Sequence, residues 1–252
     1  MTLAQRFTAA LAAESGDSDA GPGTGGDQGH LLPDRLARVT ARLLETDGAG
    51  ISMLAGPLGW APIGASSTDA ARAERLQFTV GSGPCMVARE TGRPVFVVAE
   101  DVERRWPAFG DLLLSSTPFR GVISLPLQSP VTGAGAMDLF FQHPGDVPNL
   151  DVFDALAVGD LVGSALGDAT VWSSWSEEEG PDWLRSPPAL RRAAVWQAVG
   201  RINIALDVDA PRALALLRAH AWSAGRSVDS VAADLLSGRL MAADVLGRPG
   251  PP

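Results

Sequence analysis

The sequence predicts an α+β fold: a mainly antiparallel sheet flanked by helices, followed by a small three-helix bundle. Three observations predict it. Between residues 48 and 142, short β-type runs are punctuated by Gly, Pro and Asp, with helical pieces interleaved. Amphipathic helical spacing frames this region at about 32–46 and 149–167. Beyond residue 188 the apolar period is helical only.

In chain order, residues 3–14 ("LAQRFTAALAAE") place Leu3, Phe7 and Leu11 on one helical side. The following "SGDSDAGPGTGGDQG" is too polar and glycine-rich to pack, so 1–29 reads as a helix with a flexible segment. Gly21, Gly23 and Gly26 fit the G-x-G-x-x-G spacing, but no strand precedes them and no amphipathic helix follows at once, so they are not read as a phosphate loop. The main domain, 30–168, opens with a helix carrying Leu36, Val39, Leu43 and Leu44. Strands are expected at 48–55, 60–67, 78–81, 94–99, 121–128 and 135–142, and helices at 68–76, 84–91 and 106–116. Val152, Leu156, Val158, Leu161, Val162 and Leu166 form the apolar side of the closing helix.

Residues 169–187, with three tryptophans and a Glu triplet, read as a linker, and 188–248 as the bundle. Its first helix, about 188–206, carries a stripe of Leu190, Ala194, Ala198, Ile202 and Leu206. Asp209 caps the second helix, with Pro211 in its first turn and Gly225 near its end. Ser227 caps the third, which turns Val228, Val231, Ala232, Leu235 and Leu236 inward.

The net charge of −9 is unevenly shared. Residues 1–187 hold 12 arginines against 24 carboxylates, whereas 188–252 hold 8 against 5, a balance that hints at an anionic partner for the bundle. No lysine occurs, which excludes Schiff-base chemistry and the Walker-type phosphate loop. The single cysteine excludes an internal disulfide, and no signal peptide or long apolar run is evident, so the chain is expected to be cytoplasmic and without a membrane partner.

Convergent polar groups are few. His30, His143 and His220 do not stand at metal-ligand spacing with Cys85 or one another, so no metal, cofactor or catalytic residue is expected. Cys85 opens a helix, where a dipole could activate it, but it has no neighbouring base and reads as a small core hydrophobe; an enzyme using that thiol is the weaker rival. At 103–111, Trp106 is read as pinning a loop, with Arg104 and Arg105 solvated. In the bundle, Trp196, Gly200 and Asn203 share a face, and Arg218 lies one turn before Trp222, with Arg226 on the same rim. Arginine beside an aromatic ring suits unstacked bases and phosphates; the plainer reading is a seam filled by tryptophan and solubilised by arginine.

The segment "VWQAVGRINIALDVDAPRALALLRAHAWSAGRSVDSVAADLL" (195–236) resembles the ANTAR domain, the three-helix RNA-binding module of bacterial transcription antiterminators. Matching positions include Gln197, Ala198, Gly200, Leu206, Val208, Ala213, Leu216, Leu217, Arg218, Ala221, Val231 and Ala232. Val199 and Asn203 stand where that family usually has lysine and methionine. Residues about 33–168 resemble the GAF domain, through "ERLQFTVGSGPCMVARETGRPVFV", "RRWPAF", "VISLPLQ" and "GAMDLFF". These resemblances imply a non-enzymatic antitermination regulator with a GAF input that binds an unknown small molecule or dimerises. They also imply an output that binds RNA hairpins through Gln197, Ala198, Gly200, Asn203, Arg218, Trp222 and Arg226. Two bundles in a homodimer would raise affinity through effective concentration. The alternative is a GAF sensor whose bundle has lost RNA and mediates dimerisation or protein contacts.

Overall fold

The computed structural model describes residues 1–16, 31–54, 60–129, 133–172 and 187–246. The candidate glycine loop at Gly21, Gly23 and Gly26, together with His30 and most of the Trp/Glu-rich linker, lies outside the described residues.

Strands β1 (Gly48–Leu54), β2 (Trp60–Ala65), β3 (Val95–Val98), β4 (Gly121–Ser129) and β5 (Gly133–Phe141) form one sheet in the order β2-β1-β5-β4-β3. Every pairing is antiparallel. The two-residue strand period sorts side chains between two layers. Ala49, Ile51, Ile123, Leu125, Met137 and Leu139 point to one face, against α1 (Leu3–Gly16), α2 (Leu32–Leu43) and α7 (Val152–Trp172). Val97, Val122 and Phe140 point to the other, against α3 (Thr68–Val80), α4 (Pro84–Thr91), α5 (Ala99–Arg105) and α6 (Pro107–Ser116). Trp106 packs half-buried at the junction of α5 and α6, with the Arg105 guanidinium 4.4 Å from its ring centroid.

The bundle consists of α8 (Pro187–Leu206), α9 (Ala210–Ser223) and α10 (Val228–Leu236). Its caps are those the sequence predicts. Asp209 accepts from the Arg212 amide, Ser227 accepts from the Ser230 amide, and Gly225 takes a φ of 60° after α9. Leu217 and Ala221 are fully buried, as are Val228, Val231 and Ala232.

Three expectations need correction. Residues 78–81 are not a strand: α3 runs on through Val80 and stops at Gly81, whose φ of 78° is the left-handed cap. The β-type composition of "FTVG" yields there to tertiary packing, because Glu74 and Phe78, one turn apart, are both buried. Residues 99–105 form a separate short helix, where the sequence predicts a strand ending at 99 and a loop around Arg104 and Arg105. On α8, Leu190 is exposed, and the buried arc is Arg192, Val195, Ala198, Val199 and Ile202. A strict spacing of four drifts about 40° around the helix at each step, so the ends of the expected stripe leave that arc.

Gly64 on β2 is an obligate small residue, because a Cβ there would overlap the Pro33 carbonyl at the start of α2. Gly64→Ala is expected to destabilise the chain by about 2 kcal/mol through overpacking. Urea unfolding checks this; an unchanged midpoint would show that α2 does not lie this close to the sheet.

Candidate functional site

The two units meet at the C-terminal half of α3. Trp60 of β2, Phe78 of α3, Cys85 of α4 and Ala136 of β5 share one apolar cluster with Val195 and Val199 of α8 and Leu217 of α9. Phe78 is 2% exposed, and two guanidinium groups lie over its ring. That of Arg192 lies 3.2 Å from the ring centroid and that of Arg218 at 4.9 Å. Such contacts gain strength when desolvated. Arg218 also donates from Nε to the Phe78 carbonyl at 3.0 Å, near the end of α3 where helix carbonyls lack intrahelical partners. A side chain at Gly81 would strike the Arg218 guanidinium, so this glycine serves both the helix cap and the contact. Burial lowers the pKa of Arg192 and of Arg218 to about 10, which leaves both charged at neutral pH.

Under α3 lies a buried polar cluster. Gly48, Gly50 and Ser52 form the small-residue side of β1, and a Cβ at Gly50 would collide with the Glu74 carboxyl. The gap lets Glu74 descend onto the sheet beside Asp138, which pairs in register with Gly50 on one side and Ser124 on the other. The Ser52 hydroxyl donates to Glu74 at 2.5 Å. The Ser124 hydroxyl and the Gln77 amide donate to the two oxygens of Asp138. Gln77 in turn accepts from the Cys85 amide at 3.1 Å, which ties the first turn of α4 to α3.

Burial, reinforced by the adjacent Asp138 carboxylate, holds the Glu74 carboxyl well above the usual carboxylate range, and burial raises Asp138 as well. Both shifts favour a pair that keeps a proton over two adjacent buried carboxylates. Cys85 is 1% exposed, and burial, with Asp138 and Glu74 nearby, pushes its thiol up as well. Among the described residues no cluster of three His, Cys, Asp or Glu side chains is placed to hold a metal. No helix of the described residues is long and apolar enough to cross a membrane.

The residues assigned to RNA by resemblance are distributed as follows. Gln197 and Gly200 are exposed on α8, along with Arg201 and Ile204, and nothing crowds the open side of Gly200. Ala198 is fully buried and Val199 is 2% exposed, so both are core positions of α8. Asn203 donates from Nδ2 to the Val208 carbonyl at 2.5 Å and closes the turn between α8 and α9. Arg226 bridges Ser230 and Asp234 of α10, each at 2.5 Å. Arg218 is held by Phe78, and Trp222, 45% exposed, borders a groove with Thr79, Val80 and Ala108 of the sheet unit. Gln197 and Gly200 thus remain open to solvent, while Arg218 faces the sheet unit.

Sequence reasoning missed Arg192, Phe78 and the Glu74–Gln77–Asp138 cluster. Asp138 was visible as a carboxylate inside the apolar strand "GAMDLFF", a position that requires buried partners. Arg192, in an Arg-Arg pair, carried no comparable signal.

No family model and no curated protein matches the chain. Solved structures similar to it include the GAF domain of a phosphoenolpyruvate-protein phosphotransferase from Acinetobacter. That structure is 9% identical, covers 68% of this chain and 97% of its own, and has a TM-score of 0.45. The corresponding GAF domain from Coxiella burnetii is 12% identical over 69% of this chain and 100% of its own, with a TM-score of 0.43.

Two measurements follow from this geometry. Because the folded state holds a proton that the unfolded chain releases in the ordinary carboxylate range, the pair supports stability below about pH 4. That support is lost as pH rises toward the elevated folded value. Glu74→Gln, a neutral replacement, should therefore gain on the wild type in urea midpoint between pH 5 and pH 8; a pH-independent difference would rule out a raised Glu74 carboxyl. Cys85 should react with iodoacetamide far more slowly in the folded chain than in urea at the same pH. Equal rates would mean that the thiol is open and activated.

Proposed function

We propose that the chain is a two-part regulator without enzymatic activity, in which a GAF-type sheet unit is the input and an ANTAR-type bundle is the RNA-binding output. The sequence resemblance of 195–236 supports the output, as does the capped three-helix bundle with Gln197 and Gly200 open to solvent. The antiparallel five-stranded sheet between two helical layers supports the input. The observation that carries the regulatory reading is the engagement of Arg218, the bundle's assigned RNA contact, by the Phe78 carbonyl of the sheet unit. Docked, Arg218 is sequestered; a signal that loosens α3 frees it to meet phosphate.

Filter binding of a two-hairpin RNA to the full chain tests this reading. Binding should be strongest at low salt, where phosphate contacts contribute most. Arg218→Ala should weaken it about tenfold, the equivalent of one charge-assisted contact, while the circular dichroism spectrum stays native. Unchanged or tighter binding by Arg218→Ala would assign Arg218 to docking alone. A specific observation favours the second reading, a bundle that contacts protein instead: Val199, at the family's usual lysine position, is buried, while Leu190 and Ile204 are 56% and 83% exposed on α8. Absence of RNA binding at low salt both by the full chain and by Gly81→Ala, whose side chain would displace the Arg218 guanidinium, would select it.

A further inference from the structure

A cleft of about 260 Å³ opens between the two units, with Arg192 in its lining. The sheet unit contributes Asp34, Arg38, the end of β2, the start of α3 around Ser66 and Ser67, Glu74 and Arg75; the bundle contributes Arg191, Arg192 and Asp229. The charged groups at its centre are incompletely satisfied. Arg192 is 1% exposed, yet its Nε and one terminal nitrogen have no hydrogen-bond partner, and neither carboxylate oxygen of Asp229 has one. The two side chains approach only to 3.7 Å, too far for a hydrogen bond between them. Buried polar groups are almost always paired, and a buried guanidinium and carboxylate left without hydrogen bonds are unfavourable unless a third group supplies them.

The surroundings define that group. Arg75, Arg191 and Arg192 bring positive charge to the cleft, and Ser67 and Thr68 at the amino-terminal end of α3, whose dipole also favours an anion, line it too. Asp229 and Asp34 put acceptors nearby, with Asp34 already taking the Ala65 amide at 2.9 Å. Arginine forks match the oxygens of phosphate, and a free carboxylate beside them asks for a hydroxyl donor.

We propose that this cleft is a binding site for a small phosphate monoester that carries hydroxyl groups. Its phosphate sits against the arginines and the α3 terminus, and a hydroxyl donates to Asp229. Because the lining comes from both units, occupancy favours the docked arrangement over any in which the bundle has moved away. The site stands on its own geometry and does not depend on the bundle binding RNA.

Calorimetric titration and thermal unfolding of the full chain, without RNA, test the proposal, with ribose 5-phosphate, ribose and inorganic phosphate as probes. Ribose 5-phosphate is expected to bind and raise Tm, inorganic phosphate to bind more weakly, and ribose alone to do neither. Arg191→Gln and Arg75→Gln, at an exposed and a half-buried position, should each weaken ribose 5-phosphate about tenfold. Both are preferred to a change at Arg192, whose burial makes its replacement a folding risk. Asp229→Asn should lower the affinity for ribose 5-phosphate and leave that for inorganic phosphate unchanged. No binding of either phosphate, or equal binding by wild type, Arg191→Gln and Arg75→Gln, would overturn the assignment.

Discussion

Phe78 is the constraint on which the arrangement of the two units depends. Its ring is covered by the Arg192 and Arg218 guanidiniums, and its carbonyl accepts from Arg218. Everything nearby accommodates this residue. The helix that carries it must continue past the point where its local sequence favours extended chain, and must then stop at a glycine that leaves room for Arg218. Arg192 must be drawn fully inside the protein, where the ring covers one face of its guanidinium and Asp229 provides the nearest countercharge. The incompletely paired groups of the cleft follow from holding a fixed cation at that depth.

Much of the fold was legible because it is repeated pattern. The two-residue alternation in β1, β4 and β5 and the capping residues Asp209 and Ser227 are local signals, and local signals survive into the folded chain. The errors arose where a contact distant in sequence decided the outcome. Phe78 looked like a strand residue until the bundle, over a hundred positions away, gave its ring a place to be buried. Leu190 left the expected stripe and Arg192, which carried no signal, was buried on an α8 that packs against β2 as well as α9 and α10.

The candidate site was legible to a smaller extent. Resemblance selected Arg218, and the structure does give it a specific engagement, though with the sheet unit. Asn203 and Arg226 proved to close a turn and to brace α10, uses that helical spacing alone cannot distinguish from contact with a ligand. The carboxyl pair of Glu74 and Asp138 became visible only through register, since it needs β1 to be bare at Gly50 as α3 crosses it.

Strand β2 closes one end of the sheet, and at the other end β3 is only four residues long. A strand in the terminal position presents unpaired backbone groups that invite a foreign strand. Here α8 packs against β2. The bundle is therefore also a guard on the sheet's longer free margin. Were α8 carried away, that margin would be left open to a foreign strand.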